Sequence, residues 1–523
     1  MFQVPLRLLH DGLLQSAARH PGKVVAVVEG VPHHFGELEA ASARLAGALM
    51  DRGLQRGGRV AIYMDNTWPC IVSLFATLRA GGVFMVINPQ TKHDKLVFML
   101  EDSGAHILLS DTHLHPVLNP VLEQPPAPLQ HVIVSGDRAL TEAVASGLTV
   151  EAFDVVLEKA ASFQSRNDII ASDLAALIYT SGSTGNPKGV MHTHLSMVFA
   201  LNSILQYLRL SEEDRILNVL PMAFDYGLYQ LLMAVWLGAT LVLERSFTYP
   251  AQVLKHIEEN GVTVFPGVPT IYSMLIAQYG RKPFALESIT RVTNTAAALP
   301  KSMLDPLRKI FPNALIFKMY GLTECKRTCY LEPELLDSHG DSVGKAIPGT
   351  EVFLVSPEGE RLPPGSEGIL HVRGPHLMLG YWQRPEQTAE MLKPGLLPNE
   401  RILCTHDWFR MDEAGFLYFV GRTDDIIKSR GEKVSPLEVE KVLLTIDGVD
   451  EAAVVGIADE LLGQAVKAFV TLHEGSELNE AQLKKICLSR LENFMVPKTI
   501  VVLEHMPKSP NGKIDKKLLR QQD

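Results

Sequence analysis

The stretch YTSGSTGNPKG, from Tyr179 to Gly189, packs glycines, hydroxyls and a single lysine into a loop directly behind the apolar run Leu174 to Tyr179. The run is short and is followed by turn residues, so it reads as a buried strand that delivers the loop. Gly182, Gly185 and Gly189 open positive φ to the backbone, which lets successive N–H groups point at one anion. Ser181, Ser183 and Thr184 add hydroxyl donors, and Lys188 adds a mobile point charge. Such a loop is built to hold phosphate. The Walker pattern sets its lysine after a glycine at the head of a helix, whereas Lys188 follows Pro187 and precedes Gly189. An ordinary P-loop ATPase is therefore not the reading. A flexible linker is the competing one, and linkers do not usually sit directly behind a buried strand.

Around this loop the chain has 523 residues, enough for two to four domains or subdomains with sizeable cores. Its hydrophobic content of 46% against 21% charged residues is that of a globular enzyme. The net charge of −10 argues against nucleic acid as the main partner, because binding a phosphate backbone wants a basic surface. Five cysteines, scattered and without zinc spacing, fit free thiols in a reducing compartment. The N-terminus lacks the pattern of a signal peptide, and the longest apolar segment, Leu231 to Leu243, is interrupted by Gly238 and too short to span a bilayer. A cytoplasmic protein that is not integral to a membrane is expected.

Upstream of the loop, a helix over Gly36 to Arg52 with Leu38, Leu45 and Leu49 on one face ends at Gly53. Strands follow at Arg59 to Met64, Gly82 to Asn88 and His106 to Leu109, with a helix at Trp68 to Ala80. Downstream, strands are expected at Ile216 to Leu220, Thr240 to Leu243, Val262 to Pro266 and Leu315 to Met319. Strands alternating with helices predict parallel α/β sheets, whose ligands bind beyond the carboxyl ends of the strands. From about Ser342, short β-like runs with Gly and Pro between them predict a small antiparallel β subdomain. The charged, glycine-bracketed stretch from Gly421 to Lys433 reads as a hinge. Beyond it, Ser435 and Glu438 have capping-box spacing before a helix at Pro436 to Leu444, and the last hundred or so residues suffice for a small α+β domain.

Four motifs in order carry a resemblance that covers nearly the whole chain: YTSGSTGNPKG at 179–189, YGLTE at 320–324, GRTDDIIKSRGEKVSPLEVE at 421–440 and PKSPNGKIDKKLL at 507–519. They resemble the adenylate-forming superfamily of acyl- and aryl-CoA ligases, amino-acid adenylation domains of nonribosomal synthesis, and firefly luciferase. The resemblance implies an α/β fold: a large N-terminal domain at 1–421 with a β-rich subdomain at 342–421, then a small mobile α+β domain at 422–523 pivoting near Asp424. It implies that a carboxylate attacks the α-phosphorus of ATP, releasing pyrophosphate, and that a thiol then attacks the mixed anhydride. The thiol would be CoA or the phosphopantetheine of an acyl or peptidyl carrier protein.

The same resemblance assigns site residues. Thr180, Ser181, Gly182, Ser183, Thr184, Gly185 and Lys188 would line the leaving pyrophosphate, and Glu324 would give Mg²⁺ a hard oxygen ligand. Tyr320 would pack near adenine, with the backbone of Ala296, Ala297 and Ala298 on the other side of the base and Gly321 and Thr323 beside it. Asp407 resembles the ribose-binding aspartate, although the usual TGD reads Thr405, His406, Asp407 here, and Arg422 fits a second ribose or phosphate contact. Lys513, in the turn SPNGK, would face the reacting carboxylate and α-phosphate. Catalysis is thus expected to rest on Lys513, Glu324, Thr184 and Lys188.

The acid substrate stays open in two ways. Phe224 stands at the aromatic gate position, and Asp225 follows it. An ordinary carboxylic acid is one reading. The alternative is a stand-alone amino-acid adenylating enzyme in which Asp225 grips the substrate ammonium, since a buried carboxylate calls for a cation. His192 and His194, taken as helical, would point in different directions and lack further metal ligands, and Cys325 and Cys329 read as small wall residues.

Overall fold

The computed structural model describes residues 6–521 apart from 162, 164, 181–186, 296–298, 424, 426, 430, 431, 460–462, 492–494, 510 and 511. The chain divides into two compact units, one of Met1–Gly340, Ala346–Glu351 and Arg373–Leu403, the other of Asp341–Lys345, Val352–Val372 and Cys404–Asp523.

In the first unit, Leu174–Thr180 and Lys188–Thr193 form an antiparallel hairpin with Thr180 opposite Lys188. The hairpin closes one side of a sheet ordered Gly380–Tyr381, Lys188–Thr193, Leu174–Thr180, Val83–Ile87, Arg59–Tyr63, Ile107–Asp111, His131–Ser135, Thr149–Ala152. From Leu174–Thr180 onward, this order is parallel. Its inner strands are apolar along their length because helices cover both faces, and Tyr63, Met85, Leu108 and Leu177 meet in one core. A second sheet of the same unit runs Leu315–Tyr320, Arg291–Asn294, Val264–Gly267, Arg215–Asn218, Thr240–Leu243, Val24–Val28, again parallel throughout. Antiparallel partners Cys329–Leu331 and Val31–His34 flank it. The expected α/β architecture is present, with the glycine loop at the carboxyl end of its strand.

The helices follow their apolar periodicity. Phe35–Asp51 buries Leu38, Leu45 and Leu49 as expected, and Asp225–Leu237 is buried on nearly every side, as its almost wholly apolar sequence requires.

In the second unit, Arg401–Met411 and Leu417–Arg422 pair antiparallel, in one sheet with Glu351–Val355 and Glu367–Arg373. A further sheet is built on the long antiparallel pair Val449–Asp459 and Gly463–Leu472, with Thr499–Val502 parallel to the latter. Helices Pro436–Leu444 and Glu480–Arg490 cover it through Val439, Leu443, Leu483 and Cys487. The position expected for a domain boundary, 421/422, lies inside this unit.

Two local expectations are corrected. Ser435 is the N-cap of Pro436–Leu444, but its hydroxyl donates to the carbonyl of Val420 and makes no capping bond to the helix. The spacing suits a box, but the hydroxyl is turned to the Val420 carbonyl and accepts from no N–H of the first turn. His192 lies in the strand Lys188–Thr193 while His194 opens the helix His194–Leu208, so the two do not share a helix.

Candidate active site

Lys188 is the first residue of its strand, and its ammonium stands 5.0 Å from the centre of the Tyr381 ring. Gly189 follows because a side chain there would press on the ring of Tyr179, its nearest atom 3.2 Å from an added Cβ. The Tyr179 hydroxyl donates to Asp102 at 2.7 Å, and the Arg384 guanidinium reaches the other Asp102 oxygen at 2.5 Å. The base of the glycine loop is thereby fixed to the segment 380–384. Thr180 sits at the other foot of the hairpin; Ser181, Gly182, Ser183, Thr184 and Gly185 lie outside the described residues.

Tyr320 ends the strand Leu315–Tyr320, and the chain turns at once through Gly321. An added Cβ on Gly321 would collide with the backbone of Lys326 and Arg327, so the turn requires glycine. Three bonds pin Thr323 and Glu324. His192 Nε2 meets the Thr323 carbonyl at 2.9 Å, the Met378 N–H donates to the Glu324 carbonyl at 2.8 Å, and the Tyr381 hydroxyl donates to Glu324 Oε1 at 2.6 Å. Tyr381 therefore touches both Lys188 and Glu324. Sequence reasoning missed it; the signal was an aromatic pair, Tyr381–Trp382, in a stretch between glycine and proline. Ala296, Ala297 and Ala298 lie outside the described residues, beyond the buried Asn294 and Thr295.

Phe224 is the N-cap of the helix Asp225–Leu237, and Asp225 is its first residue. Asp225 is 8% exposed and faces the ammonium of Lys326, which is fully enclosed, at 3.5 Å. Burial pushes the Asp225 carboxyl above its usual range while Lys326 and Arg327 oppose it; burial likewise draws Lys326 down to about 8. The expectation that Asp225 grips a substrate ammonium is not favoured, because a lysine of the chain already supplies its cation. Nothing in the sequence pattern marked Lys326 as that partner. Cys325 and Cys329 are buried, and burial pushes both thiols up, Cys325 to about 12, which suits wall residues and not nucleophiles.

In the second unit, Asp407 is paired with Arg422 across the hairpin, and Arg422 Nε donates to Asp407 Oδ1 at 3.0 Å. The carboxylate is 4% exposed, the guanidinium 57%. His406, standing where a glycine is usual, has φ of 55°, the left-handed conformation that glycine would supply. The Thr423 N–H and hydroxyl both donate to the His406 carbonyl at 2.8 Å and support it there. The missing glycine has changed the residue and kept the backbone.

Lys513 follows Gly512, whose φ is 74°, and its carbonyl accepts from the Ser509 N–H at 2.7 Å. Its ammonium is held below the usual lysine range, first by desolvation and then by Arg422, with Asp407 opposing. The residue as a whole is exposed. Asp407, Arg422 and Lys513 are thus electrostatic neighbours, though three separate motifs carry them. Asp424 lies outside the described residues.

Residues 13–382 match the model of the AMP-binding enzyme family, and residues 438–513 match that of the AMP-binding enzyme C-terminal domain. A long-chain-fatty-acid–CoA ligase of Escherichia coli O6:H1 is 32% identical, over 98% of this chain and 94% of its own length. Among solved structures, the anthranilate CoA ligase AuaEII in complex with anthranoyl-AMP superposes with a TM-score of 0.88 at 25% identity, covering 99% of this chain and 98% of the other. The o-succinylbenzoate CoA synthetase MenE of Bacillus subtilis, in complex with ATP and magnesium ion, gives 0.81 at 28% identity, covering 98% of each chain. With family matches on both the large and the small part, the chain belongs to the AMP-binding enzymes.

Proposed function

We propose that this chain is an acyl-CoA ligase that activates a carboxylic acid in two steps. It is an AMP-forming acid–thiol ligase. In the first step, an acid oxygen bonds to the α-phosphorus of ATP while the bond to the β-phosphate oxygen breaks, and pyrophosphate leaves with that electron pair. In the second, the sulfur of CoA attacks the acyl carbonyl, its proton is lost, and AMP leaves.

What supports the residue roles is the convergence of Asp407, Arg422 and Lys513 within one unit. Asp407 is nearly enclosed, with Arg422 bonded to Oδ1, and a carboxylate carries enough acceptor lone pairs to take both ribose hydroxyls. Lys513, partly desolvated, places positive charge where the attacking carboxylate and the α-phosphate would otherwise repel. Lys188 and the glycine loop steady the departing pyrophosphate. Glu324 fits a magnesium ligand: a hard carboxylate with one oxygen tied to Tyr381 and the other available to a hard cation. Bound Mg²⁺ would neutralise phosphate charge. Phe224 borders the acid, and residues 422–523 turn about Asp424 between the two steps.

Lys513→Ala tests this. Adenylation, read as acid-dependent pyrophosphate release, should slow on the order of 10²-fold. Transfer to CoA from a supplied acyl-adenylate should survive far better. Equal loss in both steps would refute the division of labour between Lys188 and Lys513. A panel of acids, with CoA compared against a carrier protein's phosphopantetheine, identifies the substrates.

A further inference from the structure

The steps above leave the Asp225–Lys326 pair without a task. Both side chains are sealed, and neither oxygen of Asp225 nor the Lys326 ammonium has a hydrogen-bond partner among the described residues, so the 3.5 Å ion pair is what they have. Lys326 also has φ of 65°, in the left-handed region that a residue with a Cβ avoids. Apolar residues of similar volume would generally be at least as stable as a buried ion pair. A strained backbone persists where its surroundings over-determine it.

The pair joins two parts of the site. Asp225 heads the helix that begins just after Phe224. Lys326 closes the turn that carries Glu324 and touches Gly321 backbone to backbone. The ties of Thr323 and Glu324 to His192, Met378 and Tyr381 run to the hairpin side of the unit. Lys326 ties the turn to the helix side, beside its neighbour Arg327, whose guanidinium stands 5.0 Å from the centre of the Tyr226 ring.

We propose that Lys326 is a positioning residue for adenylation: its buried ammonium, drawn to Asp225, fastens the Glu324 turn to the head of the Asp225–Leu237 helix and so keeps Glu324 and Phe224 in one geometry. This rests on the roles given above to those two residues. Lys326 acts through them and touches no reacting atom.

The test uses the full-length enzyme and four variants: Lys326→Met, Asp225→Asn, the double variant of both, and Lys326→Gly. The double variant leaves no unpaired charge inside and should melt close to the parent temperature even where the single variants fold poorly. It should nevertheless lose roughly tenfold to a hundredfold in kcat for pyrophosphate release and need more Mg²⁺, as misplacement of reacting groups does. Lys326→Gly suits the left-handed backbone and vacates the side chain's volume. Added butylammonium, which matches the lost side chain, should restore its rate.

Parental kcat and Mg²⁺ dependence in the double variant, at parental melting temperature, would overturn the proposal, as would the absence of rescue in a folded Lys326→Gly. Glu324→Gln, run alongside, separates the two levels. Parental rates there overturn the reading of Glu324 itself, whereas an impaired Glu324→Gln beside a fully active double variant overturns the role of Lys326 alone.

Discussion

Two aspartates, one in each unit, are both buried and both paired with a cation, and they differ in where the cation is. The Asp225 partner, Lys326, is as enclosed as Asp225 itself. The Asp407 partner, Arg422, is more than half exposed. A guanidinium at the surface can pay part of its loss in water when a ligand takes over the carboxylate; an enclosed ammonium has no such recourse. Burial of the acid therefore does not decide whether it is offered to a substrate. The exposure of its partner bears on it, which is why a ribose contact is proposed for Asp407 and none for Asp225.

The largest effects should separate these two. Asp407→Ala should cost on the order of 10²-fold in kcat/KM for ATP, as expected for losing hydrogen bonds to a charged acceptor, with little change in melting temperature because Arg422 relaxes into solvent. Asp225→Ala should do the reverse at the level of the fold and destabilise by roughly 3 kcal/mol, since it strands the Lys326 charge inside. Steady-state kinetics against ATP and a thermal melt on each variant check this. Matching profiles from the two variants would break the comparison.

Tyr381 gives a middle-sized test. Its hydroxyl bonds to Glu324 and its ring lies under Lys188, so Tyr381→Phe removes the first contact and keeps the second. A shift of about tenfold in the Mg²⁺ concentration for half-maximal rate is expected, the effect of one hydrogen bond to a charged group. Tyr381→Leu should also slow pyrophosphate departure. Equal behaviour of the two variants would show that the ring contributes nothing.

How much of this was legible follows from the range of each contact. The helix Pro436–Leu444 could be read because its signals, a proline at the start and apolar residues at helical spacing, lie within the segment itself. Several strands of both parallel sheets could be read from their short apolar runs, with ends off by a residue or two, whereas Val24–Val28, His131–Ser135, Thr149–Ala152 and Arg291–Asn294 were missed. The motif residues Asp407, Arg422 and Lys513 were found by resemblance, whereas their meeting is a matter of tertiary structure. Lys326 and Tyr381 were missed for the same reason. Lys326 carries no local mark in the sequence, and only the packing of the Asp225–Leu237 helix makes it a counter-ion. Tyr381 gains its place because Gly380–Tyr381 pairs with Lys188–Thr193, a register that no local pattern announces. Ser435 erred in the other direction, its local pattern being satisfied by a distant carbonyl instead.

The smallest effect on activity, and a limiting case of the comparison, comes from buried ionisable groups that pair with no acid side chain at close range. His10 and His194 pack edge to face, and the Leu9 N–H donates to His194 Nδ1 at 3.1 Å, so that nitrogen carries no proton and the ring is neutral. Burial draws both imidazoles down to about 3, with Arg79 adding to the effect on His10, and His10 adding to it on His194 against weaker opposition from Asp173 and Asp11. The folded pKa thus lies below the unfolded value of 6.5, and between 6.5 and about 3 the unfolded chain binds protons that the folded chain does not. Stability is therefore complete above pH 6.5 and falls as the pH drops, each ring withdrawing up to about 1.4 kcal/mol per pH unit within that window. His194→Asn keeps an acceptor for the Leu9 N–H and removes one of the two titrations. Its urea midpoint should fall less than the parent's between pH 7 and pH 5, with pyrophosphate release at pH 7 close to parental. Parallel loss in both proteins would mean that the enclosed rings keep a proton when folded, and that enclosure without a counter-charge does not enforce neutrality here.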